Sequence, residues 1–198
     1  MTDDDAELMA RFVQTRDRRL FAKLFERYER RMFNHTRRFV RDAARAEELV
    51  QDVFIRMYTT KRYEPQTKFS TWLYRVATNV CLNELRRPEH QQQLASLDAA
   101  SADERPTELP SPAADPEATA HGQQLAQRLS AAMDRLPPKQ RAAFMMARQD
   151  HMSHEEIAAA MQTSVSAVKS LIHRALEALR REALAVMNES PGLAQEAS

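Results

Sequence analysis

The sequence predicts an all-α protein: two small helical domains joined by a flexible, acidic, proline-rich linker, with a helix-turn-helix in the second. Three observations carry this. Only 2 of the 198 residues are glycine, against an average usage of roughly 7%. Sandwiches, barrels, phosphate-cradling loops and dinucleotide-binding folds all use glycine at their turns. The chain is instead rich in Ala, Leu, Met, Glu and Arg, which lose least on entering a helix. The helical periodicity is interrupted by one long stretch crowded with proline, serine and acidic residues.

A short first helix is expected over residues 5–13. The second, over about residues 18–40, sets Phe21, Leu24, Phe25, Tyr28, Met32 and Phe39 at three- and four-residue spacing. Asp42 is placed to cap a third, whose apolar stripe is Ala46, Leu49, Val50, Val53 and Met57. Pro65 interrupts in a polar loop. A fourth helix starts near Ser70 and runs to about Arg87, where Pro88 stops it. From His90 to about Asp115 the pattern dissolves into Gln91-Gln92-Gln93 and then Pro106, Pro110, Pro112 and Pro116. With few large apolar residues, this stretch cannot offset its chain entropy.

Helical spacing resumes near Glu117 with Leu125, Leu129, Ala132 and Leu136. Pro137 and Pro138 end that helix, and Pro138 suits the first turn of the next, which runs through Arg148. Ser153 and Glu156 form an S-x-x-E capping box for a short helix carrying Ile157, Ala158 and Met161. Gln162-Thr163-Ser164 breaks it, Ser164 can cap again, and a last helix extends to about Met187. The divisions are therefore residues 1–89, 90–116, 117–188 and a tail, 189–198.

The formal net charge of +1 hides an uneven distribution. Lys+Arg number 19 against 14 Asp+Glu over residues 1–90, 2 against 6 over 91–128, and 8 against 8 over 129–198. A basic first domain followed by an acidic connector points to an anionic partner for the former. The single cysteine, Cys81, excludes an intrachain disulfide framework and fits a reducing compartment; on the apolar side of its helix it reads as a core residue. The acidic start and the lack of a long apolar run favour a cytoplasmic protein with no membrane span.

Two helix faces carry the functional signal. On the last helix Val168, Leu171, Ile172, Ala175 and Leu179 share one arc, and Ser166, Lys169, Ser170, His173, Arg174 and Arg180 the other. Two short helices, a three-residue break and a long basic second helix are the layout of a helix-turn-helix. Small hydroxyls approach base edges and cations pair with phosphates. An amphipathic helix with a solvated polar face has the same pattern, so that alternative stays open. On the fourth helix Trp72, Arg75, Asn79, Asn83 and Arg86 cluster on one arc, uniting an indole, amides and guanidiniums suited to exposed bases. Trp72 as a core anchor is the competing reading, whereas Asn is a poor residue for a helix interior. Glu47, Glu48, Gln51 and Asp52 lie opposite the stripe of the third helix, as solvated surface or as a docking face.

His151, His154, Glu155 and Glu156 lie close in sequence, but metal binding needs a third convergent ligand and an open site, so no metal is expected. No hydrolytic triad spacing or nucleotide-cradling motif is present, and neither an enzymatic activity nor a cofactor or small-molecule substrate is expected.

Five blocks together resemble one family: Ala46-Glu-Glu-Leu-Val-Gln-Asp-Val-Phe54, Phe69-Ser-Thr-Trp-Leu-Tyr-Arg-Val-Ala-Thr-Asn79, Leu136-Pro-Pro-Lys-Gln-Arg141, Ser153-His-Glu-Glu-Ile-Ala158 and Val168-Lys-Ser-Leu-Ile-His-Arg-Ala175. In order and spacing they resemble the compact bacterial RNA polymerase sigma factors of the sigma-70 family, extracytoplasmic-function group. The resemblance covers about residues 18–87 and 123–182. It implies a first domain like sigma region two and a second like region four, acting with core RNA polymerase on promoter DNA. Glu48, Gln51 and Asp52 would face the clamp helices of the largest polymerase subunit. Asn79 and Asn83, with Trp72, Arg75 and the loop before them, would read an unpaired base of the minus-ten element. Ser166, Lys169, Ser170, His173 and Arg174 would meet the minus-thirty-five element, and the linker would thread the polymerase channels. Such proteins are often held by an anti-sigma factor. Many members have glycine where His151 or Met152 and Gln162 stand here, Arg in place of Leu171, and Asp in place of Asn83. If the turn needs positive φ, Gln162 is strained. A stand-alone helix-turn-helix regulator is the runner-up reading, and a helical metalloenzyme a third.

Overall fold

The computed structural model describes residues 4–40, 42–64, 67–87 and 116–189, and these form eight helices. They are α1 (Asp4–Thr15), α2 (Arg18–Arg37), α3 (Ala43–Thr59), α4 (Phe69–Leu85), α5 (Pro116–Arg135), α6 (Pro138–Arg148), α7 (His154–Met161) and α8 (Val165–Glu189). Most of the expected linker, and the tail after Glu189, lie outside the described residues.

Local chemistry sets the helix starts. The Asp17 carboxylate accepts from the Arg19 amide at 2.9 Å and begins α2, and Asp42 accepts from the Arg45 amide at 2.7 Å and begins α3. Pro138 occupies the first turn of α6, where its missing N–H costs nothing. The Ser153–Glu156 box closes reciprocally at 3.2 and 3.0 Å, and Ser164 accepts from the Ala167 amide at 3.1 Å. Helix α4 differs: Lys68 at its N-cap makes no side-chain cap. Packing begins it, through the fully buried Phe69.

Helices α1–α4 pack as one unit around Met9, Phe12, Leu24, Met32, Val53, Met57, Phe69 and Leu73. Helices α5–α7 pack on α8. The two units are not merely tethered. Helix α7 lies along α4 and α6 touches it, so one apolar cluster runs from the first unit into Met145, Met146, Ile157, Val168 and Ile172. The alanines of α7 allow this close approach. Periodicity marked both faces as apolar but not that they meet.

Three described residues have left-handed backbone: Arg16 at φ 55°, between α1 and α2, and two in the second unit. His151 has φ 53° and Gln162 φ 52°, both left-handed, at the ends of α6 and α7. The resemblance implies glycine in place of Gln162 and of either His151 or Met152. Left-handed backbone costs a side-chain-bearing residue about 1–2 kcal/mol, against roughly 0.5–1 of extra unfolded-state entropy for glycine. Gln162→Gly is therefore expected to stabilise the fold by about 0.5–1 kcal/mol in urea unfolding, and Gln162→Val to destabilise it. Equal stabilities for the two variants would dismiss backbone strain at this turn.

Candidate polymerase and nucleic-acid interface

Helix α3 buries Ala46, Leu49, Val50, Val53 and Met57 and leaves Glu48, Gln51 and Asp52 exposed. Beside them the structure adds a residue that the sequence reading passed over. Ile55 is 59% exposed, four residues after Gln51 and so on the same face. Its signal was available: an isoleucine off the apolar stripe of an amphipathic helix. Arg45 ties this helix to the next, donating to both oxygens of Glu84 at 2.7 Å while also pairing with Glu48. Glu84 is buried, and its hydrogen bonds raise the Arg45 pKa still further above the ordinary arginine value. The acidic face of α3 and the polar face of α4 are thereby held in fixed relation.

On α4, Asn79, Asn83 and Arg86 are exposed and Arg75 is half-buried. Leu73, Ala77, Val80 and Cys81 face the core, where burial pushes the Cys81 thiol pKa well up, as befits an inert packing residue. Trp72 combines its two alternative readings. It packs edge-on to Tyr63 at 5.3 Å and beside Phe69 at 5.8 Å, yet remains half-buried. The aromatic cluster fixes the start of α4 and the chain segment before it.

Ser166, Lys169, Ser170, His173 and Arg174 are all exposed along α8, above buried Val168, Ile172 and Ala175. Glu182, held low in pKa by hydrogen bonds from Arg128 at 2.7 Å and Arg135 at 3.3 Å, fastens α8 to α5. Leu171 is half-buried and turned toward the first unit. It shares a crevice of about 250 Å³ with Asn79, Asn83, Arg86, Lys139, Met161, Gln162 and Thr163. The crevice brings the α4 amides near Leu171 on α8, while Ser166, Lys169, Ser170, His173 and Arg174 are not among its lining residues.

Among the described residues no three His, Cys, Asp or Glu side chains converge as metal ligands, and no helix is long and apolar enough to cross a membrane. Glu156 serves the capping box and an ion pair with Lys68 at 2.7 Å, and both lower its pKa.

Two family models match the chain. The model described as Sigma-70 region 2 matches residues 24–90, and that described as Sigma-70, region 4 matches residues 126–179. The RNA polymerase sigma factor CarQ of Myxococcus xanthus is 32% identical over 161 residues, covering 81% of this chain and 87% of that protein. The ECF RNA polymerase sigma factor SigE of Mycolicibacterium smegmatis is 37% identical over 136 residues, which cover 68% of this chain and 50% of SigE. The chain belongs to the sigma-70 family, in its extracytoplasmic-function group. The region 2 match takes in most of α2 and all of α3 and α4, and the region 4 match ends within α8, beyond its exposed Ser-Lys-His-Arg face. In fold this sigma factor is similar to the sigma factor RpoE solved with the anti-sigma factor NepR from Bartonella quintana. There the TM-score is 0.57 at 18% identity, over 82% of this chain and 95% of that one.

Proposed function

We propose that this sigma factor docks on core RNA polymerase through Glu48, Gln51 and Asp52, reads an unpaired minus-ten base with Asn79 and Asn83, and meets the minus-thirty-five element with α8. The observation that carries the reading is the rigid Arg45–Glu84 link, which joins an acidic docking face to an amide-bearing face on an otherwise basic unit. Docking on polymerase therefore orients the face that captures the flipped base. Two DNA contacts, each weak alone, gain affinity through effective concentration once both are held on one enzyme. In this reading the chain makes and breaks no bond and acts in the cytoplasm alongside polymerase. The solved likeness to a sigma factor bound by its anti-sigma factor supports an inhibitory protein partner as well. Residues 1–89 and 117–188 serve as the two functional domains.

Reconstitution with core polymerase on genomic DNA, followed by mapping of transcript starts, tests the proposal. Discrete starts that depend on this chain and share two upstream elements are expected. A free dimeric chain protecting a palindrome, with no polymerase-dependent starts, would favour the stand-alone regulator. On the mapped promoters, Lys169→Ala is expected to weaken holoenzyme binding and reduce the slope of log affinity against log salt by about 0.9, the loss of one phosphate contact. An unchanged slope would remove Lys169 from the DNA backbone.

A further inference from the structure

The turn between α1 and α2 places a long side chain on backbone that favours glycine. Arg16 sits at φ 55°, and its amide donates to the Phe12 carbonyl at 2.8 Å. From this turn the guanidinium crosses to the far end of α3. Nη1 donates to the Tyr58 carbonyl and Nη2 to the Thr60 carbonyl, both at 2.8 Å. The cation also lies over the ring of fully buried Phe12, 5.4 Å from its centroid.

A helix leaves its last carbonyls without intrahelical donors, and a cation there complements the negative end of the helix dipole. At the end of α3 the donors come from outside the ladder. The Arg56 carbonyl accepts from the Thr60 hydroxyl at 2.7 Å, the Met57 carbonyl from the Thr60 amide at 3.3 Å, and the Tyr58 carbonyl from Arg16. The last turn is thus fastened by a side chain 42 residues away in sequence. The Tyr58 ring is fastened as well, 5.5 Å from Phe12 and edge-on to Phe21 at 5.1 Å, yet Tyr58 stays 38% exposed.

This fixed turn presents two large apolar side chains to water, Ile55 and Tyr58, three residues apart. They continue the face of Glu48, Gln51 and Asp52, since Ile55 follows Asp52 by three residues and Gln51 by four. One helix face therefore runs from carboxylates and an amide to an aliphatic chain and a phenol. Protein interfaces combine apolar anchors with a polar surround in this way, and tyrosine is enriched among the anchors. An anchor already held in its bound geometry also spares the entropy of ordering it on association.

We propose that Arg16 is a positioning residue for polymerase binding: by clasping the end of α3 it presets Tyr58, with Ile55, as the apolar end of the docking face. The proposal rests on the reading that the α3 face docks on core polymerase. Arg16 acts through Tyr58 and needs no contact with the polymerase itself.

Arg16→Gly separates the turn from the clasp, because glycine suits φ 55° but carries no guanidinium. The full-length variant should keep its helical circular dichroism and a urea midpoint close to that of wild type. Its Kd for core polymerase, read by surface plasmon resonance, should rise about tenfold, the scale of a misplaced interface anchor. Tyr58→Ala should cost a similar factor, and adding Arg16→Gly to it should change Kd by less than about twofold. A merely structural Arg16 would weaken binding equally in both backgrounds; that result, or an unchanged Kd for Arg16→Gly, overturns the proposal. Asp52→Ala tests the docking reading by itself. An unchanged Kd there removes the α3 face, whereas a raised Kd there with none for Arg16→Gly removes only the positioning. If Ile55→Glu abolishes self-association of the free chain without weakening polymerase binding, the apolar end is a contact between copies and the proposal falls.

Discussion

Asn79→Ala is expected to reduce open-complex formation on a mapped promoter by about 1–3 kcal/mol, on the order of ten- to a hundredfold, the worth of one well-placed amide–base contact. Association with core polymerase should be unchanged. The separation follows from geometry: Asn79 is exposed on α4, whereas Glu48, Gln51, Asp52 and Ile55 are exposed on α3. Alanine is also the better helix former, so the variant should be at least as stable as wild type in thermal unfolding. Potassium permanganate footprinting of unpaired thymines reads opening, and co-purification with core polymerase reads association. Lost association alongside lost opening would make Asn79 structural, and normal opening would remove it from base reading.

Phe69→Ala carries the largest expected stability cost, about 3–5 kcal/mol, the usual range for emptying a fully buried phenylalanine site. The ring lies 5.1 Å from Tyr28 and 5.8 Å from Trp72, with Tyr63 at 6.2 Å. It therefore joins α2, the segment before α4, and α4 itself. Because Lys68 supplies no side-chain cap, this packing is what starts the helix. Such a cost is a fifth or more of a typical domain's stability of about 5–15 kcal/mol. Urea unfolding should show a lower midpoint with an unchanged slope, and the holoenzyme should lose opening activity first at raised temperature. A cost below about 1 kcal/mol would mean that the cluster collapses around the gap.

Much of this was legible in the sequence because it is local. Asp17, Asp42, Ser153 and Ser164 act within three residues of themselves, so helix starts followed from short-range chemistry. Three- and four-residue spacing identified the buried stripes of α3 and α8 and, opposite them, the exposed candidate faces. The glycine shortage excluded whole fold classes. Through Gln162 it marked one of the three described positions, with Arg16 and His151, where a side chain sits at positive φ.

What escaped was which faces meet. Asp150 lies 115 residues from His35 and 112 from Arg38, and nothing near any of them in sequence announces a partner. His35 reads as one polar residue in a helix and Asp150 as a loop aspartate. Only folding brings them to 2.9 Å, where leaving either unpaired in a buried site would be costly. Trp72 is a similar case: periodicity assigned it to the polar arc, and the neighbouring Tyr63 and Phe69 rings decided that it also anchors α4. The sequence determined the helices, their inward faces and the family, because caps and periodicity act over a few residues. Tertiary structure alone decided that the two units close on each other and that the α4 amides face a crevice, because that outcome depends on a charge buried between chain segments more than a hundred residues apart.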